Sequence, residues 1–331
     1  MIITNFPRTE QRASLALLIQ RYWKSYPLLT LASFLMFATL LGTLIGLLVD
    51  PRVITGMPAW EKPSKFALSL AIYGFTLLWF VQAIKGHPRL ARFVTNATAI
   101  NMIVEAGIVI AQVLRGTTSH FNFSTPLDSM LYEIMGGFTV LIWSMALIAA
   151  FLLLRQRFTD PIFAWSLRLG LVVTILGMSV AFLMLPPTAL QLAALRVSGH
   201  MYIIGAHSVG VPDGGPGLPF LGWSTTGGDL RIPHFFGLHA LQVLPMIGWL
   251  LAQHTPTWLR RPHRLTLLWT AALAYLALIA LLTWQALRAQ SIIAPDALSI
   301  TAGVLWLVLV TIIVSVTYFH ARLTSTHTVQ N

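Results

Sequence analysis

The sequence predicts an all-α integral membrane protein with eight transmembrane helices, and three observations predict it. The 331-residue chain is 56% hydrophobic and only 9% charged, whereas a soluble domain is typically about 25% charged. Apolar runs of about 20 residues, the length needed to cross a bilayer, recur along it. The Lys and Arg residues fall in short clusters between those runs rather than in one patch, which is the pattern of topology signals. No polar segment is long enough to fold as a separate soluble domain, so residues 1–331 read as one membrane domain.

The elements follow in order. Residues 1–27, containing "PRTEQRASLALLIQRYWKSYP", are basic and partly amphipathic. They are expected on the cytoplasmic surface, with no cleavable signal peptide. Spans are predicted at 28–49, 66–84, 93–114, 129–153, 164–185, 233–252, 265–286 and 298–318, followed by a tail at 319–331. Of the 21 Lys and Arg residues, fourteen belong to the segments shared with the two termini, among them Arg8, Arg12, Lys85, Arg155 and Arg260. Seven belong to the opposite segments: Arg52, Lys62, Lys65, Arg115, Arg196, Arg231 and Arg288. The positive-inside rule then places both termini in the cytoplasm and the protein in the cytoplasmic (inner) membrane. The net charge of +11 is accounted for by topology and does not call for a nucleic-acid partner; the bilayer is the implied one. On the outer segments acids and bases stand close in sequence, and the pairs Arg115 with Asp128, Asp229 with Arg231, and Arg288 with Asp296 are expected at the rim. Solvated loop charges are the plain alternative, because surface pairs contribute only about 0–1 kcal/mol.

An internal duplication is also expected. "AQVLRGTTSHFNFSTPLD" ends the third span and "WQALRAQSIIAPD" ends the seventh, aligning Gln112, Leu114 and Arg115 with Gln285, Leu287 and Arg288. At the same offset Ala67-Leu68 meets Ala240-Leu241. These matches imply two four-helix halves of the same orientation, 28–153 and 164–318. The second half carries an extra outer loop, 186–232, whose later part, 205–228, is dense in Gly and Pro. Long loops of this kind are often functional or disordered. Here the prolines, with Phe220, Leu221 and Trp223 as apolar anchors, favour an ordered lid.

Chemistry-bearing side chains gather toward the outer face. In "GDLRIPHFFGLHALQVLP" the helical spacing puts Phe235, His239, Gln242 and Met246 on one face of the sixth span. In the third span Asn101, Glu105, Ile108 and Gln112 share a face. Glu105 lies ten residues from Arg115, hence about 15 Å deep at 1.5 Å per residue. A carboxyl at that depth is protonated, paired, or bound to a metal. Glu133 is a second carboxylate within a span. His120, His207, His234 and His239 complete the candidate set, and Glu105 is the expected answer to His239. Three readings of this set stand. One is an interhelical hydrogen-bond network that stabilises the bundle. A second is a redox site holding haem b or an iron, copper or zinc ion on some of His120, His207, His234, His239 and Glu105. The third is a translocation pathway in which Glu105 and His239 titrate. With no cysteine in the chain, covalent c-type haem attachment, thiolate sites and iron–sulfur clusters are excluded. His234 and His239 are about 140° apart on an ideal helix, so they are not an i, i+4 metal pair.

Through "RGTTSHFN", "HSVGVPDGGPGLPFLGWST" and "GDLRIPHFFGLHALQ" the chain resembles a group of uncharacterised bacterial multispan membrane proteins over most of its length. The resemblance implies a cytoplasmic-membrane location and brings no activity with it. The four-plus-four layout is also similar to that of haem A synthase. The paired intramembrane histidines expected there in each half are missing from spans two, four and eight, so the similarity is one of architecture alone.

Overall fold

The computed structural model describes residues 14–326. Eight of its helices are long and apolar enough to cross a membrane. The residues Arg8, Glu10 and Arg12, and the tail from 327 with His327, lie outside the described part. The chain enters through α1 (Leu15–Ser25), capped by the Ser14 hydroxyl. There follow α2 (Pro27–Val49), a small hairpin of β1 (Val53–Ile54) and β2 (Met57–Pro58), α3 (Glu61–Val81), α4 (Pro88–Leu114) and α5 (Pro126–Arg155). Next come α6 (Pro161–Ser179), continued by a 3-10 turn over Val180–Met184, and α7 (Ala189–Ser198). The strands β3 (Ser208–Val209) and β4 (Gly228–Asp229) then pair antiparallel, before α8 (Arg231–Gln253), α9 (Arg261–Leu287) and α10 (Ala297–Thr326).

Proline sets most of the helix starts. Pro27, Pro88, Pro126, Pro161 and Pro262 each sit at the first or second helical position. There the missing N–H has no intrahelical partner to lose and the fixed φ suits the helix. Side-chain caps reinforce three starts: Thr125 before α5, Asp160 before α6, and Thr188, which forms a capping box with Gln191 before α7.

Within lipid, helix association rests on close packing and interhelical hydrogen bonds, since lipid tails are as apolar as the helix surfaces. The small residues mark the closest approaches. Gly74 on α3 abuts Ser33 on α2, and Gly177 on α6 meets Gly237 on α8. α2 packs on α3 and α4, α3 on α4, and α4 on α5; α6 packs on α8 and α9, α8 on α9, and α9 on α10. α5 meets α6 between the two groups. The buried core runs through both, with Met36, Phe80, Met102, Phe163, Leu167 and Leu241 among its largest members. Gln242 donates to Thr76 across from α8 to α3 at 3.1 Å, Trp143 on α5 donates to Ser179 on α6, and Tyr275 on α9 donates to the Phe236 carbonyl.

The connections divide between two faces. The terminal face holds the chain ends and three short connections, 82–87, 156–160 and 254–260. The opposite, cap face holds 50–60, 115–125, 185–230 and 288–296, and these are laced together. Phe123 N–H donates to the Tyr202 carbonyl and Ile204 N–H to the Phe121 carbonyl, closing the bridge Asn122–Ile203. Lys65 donates to the Leu221 carbonyl, Ser291 to the Ser224 carbonyl, and Gln191 exchanges two hydrogen bonds with the Gly205 backbone. The Gly/Pro-rich segment is thus tied down at both ends and over its middle.

Candidate functional site

The cap face carries a repeated local device. Asp50 accepts from the Arg52 backbone N–H at 3.1 Å and from its guanidinium at 2.6 Å. Asp229 accepts from the Arg231 backbone N–H at 2.9 Å and from its guanidinium at 2.5 Å. The first Asp-x-Arg clasp directly follows the end of α2, and the second leads directly into α8. Each also sends its arginine to a distant carbonyl, Val113 from Arg52 and Gly222 from Arg231. Two further ion pairs, Arg115–Asp128 at 2.6 Å and Arg288–Asp296 at 2.5 Å, join α4 to α5 and α9 to α10. Gln112 bonds both Asp128 and Arg115, so the first of these pairs is a triad in which Gln112 and Asp128 are buried and Arg115 is exposed.

Beneath the lid lies a cluster of a different kind. His207 Nδ1 stands 2.7 Å from Asp213 Oδ2, and the same carboxylate accepts from the backbone N–H groups of His207 and Ser208. Burial works to raise the Asp213 pKa, but these hydrogen bonds and the neighbouring imidazole outweigh it and hold the group below the usual carboxylate range. An ionised Asp213 can only accept, so His207 donates through Nδ1 and leaves Nε2 as its free lone pair. The His120 ring lies 6.2 Å from that of His207, with Nδ1 on the Ser119 hydroxyl at 3.1 Å. Phe66 from α3, Tyr132 from α5 and Phe121 surround His120, and Phe121 also packs on His207 at 4.8 Å.

Lys62, in the first turn of α3, supplies the charge. Lys65 and Arg231 have carboxylate partners within 2.8 Å; Lys62 has no ion pair or hydrogen bond among the described residues. Its charge acts on His120 and His207, and Asp213 and Glu105 act on it from beyond contact distance. Burial first, then the Lys62 charge and the other imidazole, push the His120 pKa well below the ordinary value. Burial likewise lowers that of His207, against the opposing pull of Asp213. Lys62, His120, His207 and Asp213 all remain partly exposed, the last two at 20% and 23% of the side chain. They are reached by water on the cap face rather than sealed in the core.

The other expected residues go elsewhere. His234 donates from its Nδ1–H to the Gly177 carbonyl, 3.1 Å away on α6, and its neighbouring charge is His207. Glu105 does not meet His239. Its polar neighbours are Thr139 on α5 and Lys62 on α3, and its Oε1 is buried without a partner. His239 packs on Phe235 at 4.4 Å and interacts with Gln242. The reason is helix placement: α4 packs against α2, α3 and α5, while α8 packs against α6 and α9. Met246 is 55% exposed on the outside of the bundle, and Glu133 is exposed as well. Asn101 donates to the Phe138 carbonyl on α5. Among the described residues no three His, Asp or Glu side chains stand close enough to hold a metal ion. A multidentate iron, copper or zinc site on these side chains is therefore not supported. Lys62 and Asp213 were the members that sequence reasoning missed; the one signal for Asp213 was its six-residue spacing from His207 inside a Gly/Pro turn.

No protein-family model, no curated protein and no solved structure matches this chain.

Proposed function

We propose that the chain is a transport protein of the cytoplasmic membrane that takes a small solute into the Lys62–His120–His207 cleft from the outer face. The observation that carries this reading is Lys62, a partly exposed ammonium with no hydrogen-bonded or ion-paired counter-ion among the described residues, close enough for its charge to act on two imidazoles. Such an ammonium can take an anionic partner from solution, and ionisable groups at a water-filled cavity commonly mark substrate paths.

Two further features support the layout. The helix contacts within α2–α5 recur in the same pattern within α6 and α8–α10. The Asp-x-Arg clasp precedes the second span of each group, and an Arg–Asp pair closes the third onto the fourth. These fit two four-helix halves of the same orientation, with the cleft at their junction. The excess of Lys and Arg on the terminal face supports an N-in, C-in arrangement.

The test is uptake of radiolabelled succinate and benzenesulfonate into proteoliposomes. Uptake above protein-free vesicles, abolished by Lys62→Met in a folded protein, is expected. Wild-type protein that moves neither anion would overturn the reading. A metal- or haem-dependent redox protein, the other reading, has no convergent ligand set to rest on; a Soret band or a stoichiometric metal in purified protein would restore it. For Asn101, Gln112 and Gln242, each bonded to a neighbouring helix, a bundle-stabilising role has the better support.

A further inference from the structure

We propose that the cleft binds a small organic carboxylate together with a proton, the carboxylate pairing with Lys62 and the proton entering on His207 Nε2. This rests on the reading of the cleft as a solute site and names its ligand class and coupling.

The sign of the ligand follows from which charges are already spent. Asp213 is saturated by His207 and two backbone N–H groups. Asp229 is saturated by Arg231 and the Ser224 N–H. Glu61 is taken by Lys65. Lys62 is the cation without a hydrogen-bonded carboxylate, its charge balanced only from a distance by Asp213, so a carboxylate entering together with a proton supplies that partner and leaves the total charge unchanged. The walls decide its body. Phe66, Phe121 and Tyr132 ring His120, and a strongly hydrated inorganic ion would shed water against them with one full charge in return. A carboxylate on an apolar or aromatic frame keeps its charge at Lys62 and lays its body on the rings.

The proton follows from the surroundings of His207. Its own loop presents Asp213, α3 presents Lys62, α8 presents Arg231 and His234, and the 115–125 segment presents His120. Glu105 on α4 acts on Lys62. Without a bound anion, a second positive charge on the partly buried His207 would be repelled by Lys62 and Arg231, so the ring stays neutral. A bound carboxylate removes that repulsion. Protonation at Nε2 then gives an imidazolium held between the Asp213 carboxylate and the ligand. By linkage, whatever raises the proton affinity of the ring on binding also makes binding tighter as pH falls.

Isothermal titration of the detergent-solubilised full chain with sodium benzoate, in two buffers of different ionisation enthalpy, reads both parts. Uptake of about one proton per benzoate is expected, with affinity falling about tenfold per pH unit above neutrality. His207→Asn should keep benzoate binding and lose the proton uptake and the pH slope. Sulfate should bind far more weakly than benzoate. Benzoate binding with no buffer dependence would overturn the proton coupling and leave the cleft reading intact. Equal or tighter sulfate binding would overturn the ligand class. No benzoate or sulfate binding by folded wild-type protein would overturn both. Should His207→Asn fail to fold, the buffer comparison on wild-type protein still decides the proton.

Discussion

Gly177 and Gly237 meet backbone to backbone: a Cβ built on either would fall 2.2 Å from the other's Cα. The contact brings α6 and α8 together without any intervening side chain, beside the point where His234 reaches the Gly177 carbonyl. Ala at either position must push the helices apart, and overpacking of this kind costs about 1–3 kcal/mol. Gly237→Ala should lower the melting temperature in detergent by several degrees. Gly303→Ala on α10, where nothing lies within 4 Å of the added carbon, should leave it unchanged or raise it. Equal effects at the two sites would refute the close approach.

The two arginines of the second half should respond unequally to removal. Asp229 has no exposed side-chain surface, so Arg231→Met strands a buried carboxylate, at about 3–5 kcal/mol. Asp296 is 40% exposed, and Arg288→Met should cost about 0–1 kcal/mol. Thermal unfolding of both variants checks the contrast, and a larger loss for Arg288→Met would contradict it.

Acid should destabilise the unliganded protein through His120 and His207. Burial holds both rings below the ordinary imidazole pKa, with Lys62 adding to it. The unfolded chain therefore takes up protons first as pH falls. The stabilising contribution is complete above about pH 6.5, the unperturbed value, and is lost as pH falls through the folded values. Melting temperature should decline from about pH 7 toward pH 5, and His120→Phe should decline less steeply. A wild-type protein that gains stability on acidification would contradict the assignment.

The chain has no cysteine, so a disulfide can be introduced on a clean background. Asn122 and Ile203 face each other across an antiparallel bridge, at the Cα spacing of about 4.5–5.5 Å that suits a disulfide. Asn122→Cys with Ile203→Cys should cross-link the 115–125 segment to the lid on mild oxidation, seen as two fragments held together after proteolysis between them until reductant is added. A pair that stays reduced would show that the lid does not rest there.

The helices were largely legible in the sequence, and the misses have physical causes. The second span was expected from 66, yet α3 begins at Glu61. Glu61, Lys62 and Lys65 look like loop residues, but Glu61 and Lys65 pair one turn apart on the helix. The third span begins five residues earlier than expected because Pro88 starts it. α8 carries His239, Gln242 and Met246 at helical spacing. Spacing says nothing about what they face, and Met246 turns outward. The depth of Glu105 could be counted; its neighbour could not, because which helices touch is a property of the bundle. The His207–Asp213 pair depends on a turn with no periodicity, so its six-residue spacing carried little weight until the backbone N–H groups were seen to converge on the carboxylate.

The five-residue connection 156–160, where the two groups of helices join, lies on the terminal face. It is braced there. Lys85 N–H donates to the Gln156 side chain, and Arg168 donates to the carbonyls of Leu153 and Gln156. The other two connections on that face, 82–87 and 254–260, have six and seven residues, so the helix ends there are tethered in pairs. On the transport reading, widening of the cleft between the groups would be a tong-like motion with its pivot at 156–160 and its jaws at the opposite rim. The 186–232 loop spans those jaws, and its hydrogen bonds to the 115–125 and 288–296 segments are the latch that would release first.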